Sequence, residues 1–349
     1  MVRKLLLGLL ALTILVIAGH TLLWRWTERR LEEGYTSWVA ARRMQGWSID
    51  AATPVPGGWP LEARLTVPKM VVKGGAPDIP DGLTWSTDRV DLSISLLHPR
   101  QLTISSDGLQ RLRFSDFPDI PYTADRLHAD IPLDPGVPPH TADISAVNLR
   151  AGMPAGPDSS SGLGVGELRI HGEIKPAAPA GEAALEFTLK ATTITLPPGR
   201  TWPLGPTIAG LTVDGALNGP VPKSRGLTTR ATGWRDGGGT LEIQGMHMDW
   251  GPMGLSATAT IALDDQLQPM GTGTAKLSGY AESLDALAAN NAVTKRAALA
   301  ANAVLSLLAH APDDGGPPEV EVPLTLQDRT LSVRQIPLSR LPMLDWPAP

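Results

Sequence analysis

Two hydrophobic periodicities divide this chain. Leu5 to Trp24 is a mostly apolar run without formal charge, preceded by Arg3 and Lys4 and followed by Arg25. At about 1.5 Å per residue such a helix is roughly 30 Å long, the thickness of a bilayer's hydrocarbon core. From Thr27 to Gln45 the apolar residues Leu31, Tyr35, Trp38 and Val39 recur at helical spacing, and Gly46 is a natural stop. Beyond Trp47 the period becomes two. Leu92, Ile94 and Leu96 alternate with polar residues, as do Leu185, Phe187 and Leu189, and then Ala257, Ala259, Ile261 and Leu263 alternate with Thr258, Thr260 and Ala262. Each run reads as a strand with one apolar face.

Glycine and proline clusters separate these strands, among them Gly57-Gly58, Pro138-Pro139, Pro197-Pro198-Gly199 and Gly237-Gly238-Gly239. Short strands with frequent turns predict a largely antiparallel sheet. Two hairpins can be placed. A turn at Gln327-Asp328-Arg329-Thr330 pairs Leu326 with Leu331 and Leu324 with Val333, and Pro323 marks an edge or an unpaired outward position. A turn at Gly251-Pro252-Met253-Gly254 sets Trp250, Met248 and Met246 against Leu255, Ala257 and Ala259, with a bulge at Gly245. Between the hairpins, Ser283 to Ala309 predicts an Ala-rich helix pair broken at Asn290-Asn291, which covers one end or face of the sheet.

The expected fold is therefore mainly β with minor α: a transmembrane helix, then a large twisted, mostly antiparallel sheet with a small helical cap near the C-terminus. Residues 1–4 form a cytoplasmic tail, 5–24 the anchor, 25–46 an amphipathic stalk helix and 47–349 a periplasmic β-rich domain. The stretch 152–166 is a flexible loop or a division between two sheet-rich halves. At the membrane interface the expected contacts are Arg3, Lys4, Trp24, Arg25 and Trp26, because indole rings settle at the headgroup level. His20, near the end of the run, reaches the interface by snorkelling; a proton relay is the weaker reading. A cleaved signal peptide, giving a soluble periplasmic protein, is the competing account of the run, but the run outlasts the ~7–15 apolar residues of such peptides. Orientation is contested too. Arg25, Arg29, Arg30, Arg42 and Arg43 outnumber Arg3 and Lys4, which favours a cytoplasmic domain, whereas the basic-then-apolar order is that of a signal sequence and long domains cross regardless of charge.

Composition narrows the chemistry. With no cysteine, thiolate catalysis, iron–sulfur clusters and disulfides are excluded. A net charge of -5, with no concentrated basic face, argues against nucleic acid as a partner. The seven histidines show no metal-ligand spacing, and His171-Gly172-Glu173 lacks the cysteines of a deaminase site. Gly162-Leu163-Gly164-Val165-Gly166 lacks the strand-to-helix context and terminal Lys-Ser or Lys-Thr of a phosphate loop. Asp264-Asp265 reads as turn carboxylates, and the ten tryptophans read as core plugs and interface anchors. No catalytic, cofactor or metal residues are assigned.

The chain resembles a family of alphaproteobacterial envelope proteins catalogued as domain-of-unknown-function family 2125. The likeness is carried by Leu23-Trp24-Arg25, Trp38-Val39-Ala40-Ala41-Arg42-Arg43, Gly46-Trp47, Gly57-Gly58-Trp59-Pro60, Gly239-Thr240-Leu241, Trp250-Gly251-Pro252-Met253-Gly254-Leu255 and Val322-Pro323-Leu324-Thr325-Leu326. That family brings no reaction and no catalytic residues. More distantly, the C-terminal order of strand, W-G-P-x-G-L turn, strand, Ala-rich helices and hairpin is similar to AsmA-like proteins, membrane-anchored and projecting curved sheets into the periplasm. This likeness implies, by analogy, a lipid-handling role. With no convergent polar constellation in the sequence, the expectation is a non-enzymatic protein of the inner membrane whose partners are the bilayer, a lipid held on an apolar sheet face, or envelope proteins. The alternative is a scaffold with a closed core and no ligand.

Overall fold

In the computed structural model, the residues described are 2–74, 83–113, 119–134, 139–152, 162–175, 178–179, 181–220, 222, 227–310, 317–333 and 336–346. A single helix, α1 (Val2–Met44), runs without interruption from the apolar segment through the stalk. The large hydrophobic side chains between Leu5 and Leu23 are mostly half or more exposed. Beyond them, one face of α1 becomes progressively covered. His20 and Trp24 are half-buried, Thr27, Leu31 and Val39 are buried, and Tyr35 lies between them. Steps of three and four residues keep this row on one side of the helix. Trp38, read as part of the stripe, is 41% exposed because it points off that row.

The remaining elements form one antiparallel system. Its first half comprises β1 (Ser48–Asp50), β2 (Val55–Gly57), β3 (Glu62–Lys73), β4 (Thr84–Ser95), β5 (Gln101–Arg113), β6 (Ile120–Thr123), β7 (Arg126–Pro132), β8 (Thr141–Ala151) and β9 (Leu163–Ile174). The second half comprises β10 (Ala183–Thr195), β11 (Thr207–Asn218), α2 (Leu227–Asp236), β12 (Thr240–Trp250), β13 (Met253–Leu263), β14 (Pro269–Ser278), α3 (Tyr280–Ala289), α4 (Lys295–Leu308), β15 (Glu319–Gln327), β16 (Thr330–Val333) and β17 (Ile336–Arg340). From β3 onward the strands follow one another as a meander. β1 and β2 share the outer edge of β3. β6 and β7 share one strand position between β5 and β8. Residues 153–161, in the stretch read as a loop or division, lie outside the described residues; the flanking strands pair up to Ala151↔Leu163.

The closing hairpin has the expected register, Leu326↔Leu331 and Leu324↔Val333, around Asp328 and Arg329, both at positive φ. That ladder ends at Leu324, so Pro323 lies beyond it, exposed, on an otherwise interior strand. The second hairpin is tighter than expected. Only Gly251 and Pro252 form its tip, so Trp250 pairs Met253, Met248 pairs Leu255 and Met246 pairs Ala257. A shift by two residues preserves the face, and the expected irregularity falls between Ile243 and Met246.

The C-terminal helices break where Asn290 caps α3 and Asn291 takes φ 57, and Thr294 then caps α4 by accepting from the Ala297 amide. α3 touches β13 and α4 touches β15, so the pair covers only that part of the sheet. The short helix α2 was not anticipated. Its sequence, with three threonines and a glycine, lacks an apolar period, and it is fixed by tertiary bonds: Trp234 Nε1 donates to Asn218 O at 2.8 Å, and Arg235 Nη1 to Asp264 O at 3.3 Å.

Candidate functional site: an apolar sheet face

Cross-strand partners in an antiparallel ladder lie on the same face, so the register traces that face from strand to strand. Ile144 of β8 is opposite Ile170 of β9, which is opposite Leu189 of β10, then Val213 of β11 and Met246 of β12. One row over, Ala146, Leu168, Ala191, Leu211 and Met248 align, followed by Leu255 of β13, Leu277 of β14 and Val320 of β15. The other face carries the polar partners. His171 Nδ1 meets Asp143 Oδ1 at 2.7 Å, Lys175 Nζ donates to Glu186 Oε1 at 2.7 Å, and His247 Nε2 lies 3.2 Å from Asp249 Oδ2. All three pairs are exposed.

Simple alternation would not hold this segregation along strands of 11 to 13 residues. Two residues, rather than one, separate the inward side chains Val67 and Met70 in β3, Ala146 and Leu149 in β8, and Ala191 and Ile194 in β10. At these steps Lys69, Asn148 and Thr193 take φ of 50°, 51° and 53°. Asn148, Gly166 and Thr193 form a row that the β8–β9–β10 ladders skip. A Cβ on Gly166 would stand 3.1 Å from Thr193 Cβ. The glycine-rich run at 162–166 thus opens a strand under close backbone approach.

Coverage of the apolar face changes along the sheet. Near the N-terminal edge α1 forms a second layer: Val39 packs on Val67, Met70 and Val90, and Leu31 on Leu65 and Ile94. Midway, the cluster of Val165, Ala191 and Ile194 is joined only by Leu149, Leu168, Leu189, Ile208 and Leu211, all from β8 to β11. Among the described residues no helix contributes to that cluster. Its three central side chains are buried, and the five that surround them are half-buried.

Polar groups on or beside the face are few. Trp85 Nε1 donates to Tyr122 Oη at 2.7 Å; burial raises the Tyr122 hydroxyl above its ordinary pKa, and the indole bond partly offsets this. Burial likewise raises Tyr35, against the opposing charge of Arg43. Gln110, 1% exposed and inward on β5, has no hydrogen-bond partner for either amide atom. The indole N–H groups of Trp202, Trp250 and Trp346 each donate to a backbone carbonyl at 2.8 to 2.9 Å, the role of plugs read from the sequence. Asp264 Oδ1 accepts from the Gln266 and Gln268 amides at 2.8 Å, as expected of a turn carboxylate.

Among the described residues no three His, Asp or Glu side chains converge as metal ligands. The recesses of about 310 to 520 Å³ between β11 and β15 are lined mainly by the polar face, with Asp214, Glu242, His247 and Lys276 on their walls.

At the base of the stalk, His20 Nε2 lies 2.6 Å from Pro60 O, and Trp24 Nε1 donates to Glu62 O at 2.7 Å. Trp26 is exposed, with the Arg30 guanidinium 5.5 Å from its ring. Of the five residues expected at a membrane interface, Trp24 thus also binds the sheet. Arg25 and Trp26 project outward beside it, and Arg3 and Lys4 lie at the far end of α1. The long apolar helix has the length and composition of a signal anchor or signal sequence.

Comparison with curated proteins and with solved structures returns no match. One family profile, described as "Uncharacterized protein conserved in bacteria (DUF2125)", matches residues 24–342. Because that match runs from the last residue of the apolar run to just beyond β17, the chain belongs to the DUF2125 family.

Proposed function

We propose that this chain is a non-enzymatic protein of the bacterial envelope, anchored in the inner membrane by α1 with its sheet in the periplasm, and that the sheet binds lipid acyl chains. The observation carrying this reading is the apolar stretch from β8 to β12, continuous across the ladder and without a second layer among the described residues. Leaving large aliphatic side chains half-covered forgoes part of the about 1.5–3 kcal/mol that full burial of each contributes. At about 4.8 Å per strand this stretch is roughly 20 Å wide, room for an extended hydrocarbon chain. Retention of the anchor is supported by His20 and Trp24, which belong to the apolar run yet are bonded to the sheet.

Photo-crosslinking residues placed in the full chain test this in living cells. Adducts with phospholipid are expected at the inward positions Leu189 and Met248 and not at the outward Thr188 and His247. Absence of lipid adducts, or equal labelling of both faces, would overturn it. A second reading, a protein-interaction module, draws on β17, whose five residues are all exposed, including Ile336 and Leu338. An edge strand in that state is open to pairing with another chain. Protein adducts at Leu338 with none at Leu189 would favour it.

A further inference from the structure

The turns at 57–61 and 96–100 stand at the foot of the sheet beside α1. They are neighbours, since the Leu96 amide donates to Leu61 O at 3.2 Å. Their tips expose large apolar side chains: Trp59 is 55% exposed, Leu61 74% and Leu97 83%. Exposed tips of this kind are unusual in a water-facing turn, where polar residues and glycine predominate. Their height is fixed by two bonds to the helix. Pro60 O meets His20, and Glu62 O meets Trp24. Trp24 closes the apolar run, and His20 lies four residues, or about 6 Å, deeper along the axis. The 57–61 turn therefore reaches one helical turn below the end of the segment that the proposed anchor places in the bilayer.

We propose that Trp59, Leu61 and Leu97 form a docking surface for the bilayer, inserted into the headgroup layer of the leaflet from which the anchor emerges. This inference rests on the anchor reading above. Its chemistry matches that layer. The indole and the two leucines enter the boundary with hydrocarbon, while exposed His98 and Arg100 beside Leu97, and Arg25 on the helix, keep their polar ends among headgroups and phosphates. The same contact satisfies the His20 imidazole inside the apolar run, where an unpaired polar group is expensive. It also seats the first strands of the apolar face on the membrane: Leu61 directly precedes β3 and Leu97 lies two residues beyond β4, and the inward residues Leu65 and Ile94 of these strands begin that face.

Because the chain has no cysteine, single cysteines at 59, 61 and 97 can each carry an environment-sensitive fluorophore in the full-length protein. In vesicles of phosphatidylethanolamine and phosphatidylglycerol, all three labels should shift to the blue and be quenched by phospholipid bearing a nitroxide high on its acyl chain. Leu15→Cys reports the anchor, and Ala51→Cys, near the other end of the stalk, reports water. Quenching at position 15 with water-like emission at 61 and 97 would overturn the docking surface while leaving the anchor intact. Water-like emission at position 15 as well would remove the anchor and the docking surface with it.

Discussion

Trp24 Nε1 donates to Glu62 O at 2.7 Å, joining the last residue of the apolar run to the first residue of β3 across 38 positions of sequence. With the His20–Pro60 contact one turn below, it makes α1 and the sheet a single mechanical piece, so the direction of the helix sets the direction of the first strands. Trp24→Phe keeps the ring and removes the donor. The joint should weaken by about 1 kcal/mol, the net worth of one such bond. Faster amide hydrogen exchange in residues 58–62, with β10 to β12 unaffected, is the expected outcome. Unchanged exchange there would show that packing at Thr27, Leu31 and Val39 holds the joint alone.

Gln110 is the one inward residue of β5 whose chemistry opposes its surroundings. Its cross-strand neighbours are Thr87 and Tyr122, yet both amide atoms are buried without a partner. A buried, unsatisfied polar group costs about 1–3 kcal/mol. Gln110→Met keeps the length and removes the demand. Thermal or urea unfolding should show a stabilised variant, by about 1 kcal/mol or more; a destabilised one would mean that the amide is engaged by a bound water or ligand.

Alkaline stability should depend on two tyrosines. Burial raises the pKa of both Tyr35 and Tyr122 in the folded chain. The neutral phenol is therefore favoured by folding. This contribution is complete below the unfolded value of about 10 and is lost as pH rises through the folded one. Stability should accordingly decline above about pH 10. Tyr35→Phe combined with Tyr122→Phe should flatten that decline, as followed by denaturation midpoints across alkaline pH. An equally steep decline in the double variant would place the sensitivity elsewhere.

What could be read from the sequence followed local chemistry. The 328–329 turn was legible because apolar alternation on both sides admits one register. The strands around Leu92, Leu189 and Ile261 were legible for the same reason. Less visible were features that need a neighbour. Gly271-Thr272-Gly273-Thr274 carries no apolar signal, because its inward positions are glycines. A Cβ at Gly271 would stand 2.2 Å from Thr260 O. Positive φ at Thr193, a β-branched residue, contradicts its own preference and is imposed by the sheet. Of the candidate membrane surface, Trp24 and Trp26 were marked by their place after an apolar run. Trp59, Leu61 and Leu97 were not, since a turn residue announces neither its exposure nor its height along a helix some 40 residues away.

The W-G-P-M-G-L turn gives a test of close approach. A Cβ at Gly251, already at φ +56, would lie 2.4 Å from Leu204 O. One at Gly279, at φ +63, would lie 1.9 Å from Pro252 O. Trp250, next to Gly251, donates to Gly205 O and packs against Trp202 with ring centroids 6.3 Å apart, so the 202–205 loop cannot retreat without breaking these contacts. Gly251→Ala and Gly279→Ala should each destabilise by about 1–3 kcal/mol, the range for enforced backbone strain. Gly238→Ala, at φ +74 but with nothing within 4 Å, should lose less. Equal losses at all three would assign the effect to φ alone.

The last expectation separates the two faces of one strand. Leu189 and Lys190 are adjacent on β10; Leu189 pairs with Ile170 and Val213 on the apolar side and Lys190 with Arg169 and Thr212 on the polar side. Leu189→Asp puts a carboxylate where a hydrocarbon chain would lie, and an unpaired charge there is strongly disfavoured. Lys190→Asp puts the same carboxylate on the outer face, opposite Arg169. Full-length protein carried in lipid nanodiscs, released and weighed by native mass spectrometry, should retain phospholipid as wild type and as Lys190→Asp, and lose it as Leu189→Asp. Circular dichroism on the same samples separates loss of the ligand from loss of the fold. If the folded Leu189→Asp protein keeps its lipid, the lipid is held elsewhere, and the uncovered face between β8 and β12 needs a different occupant.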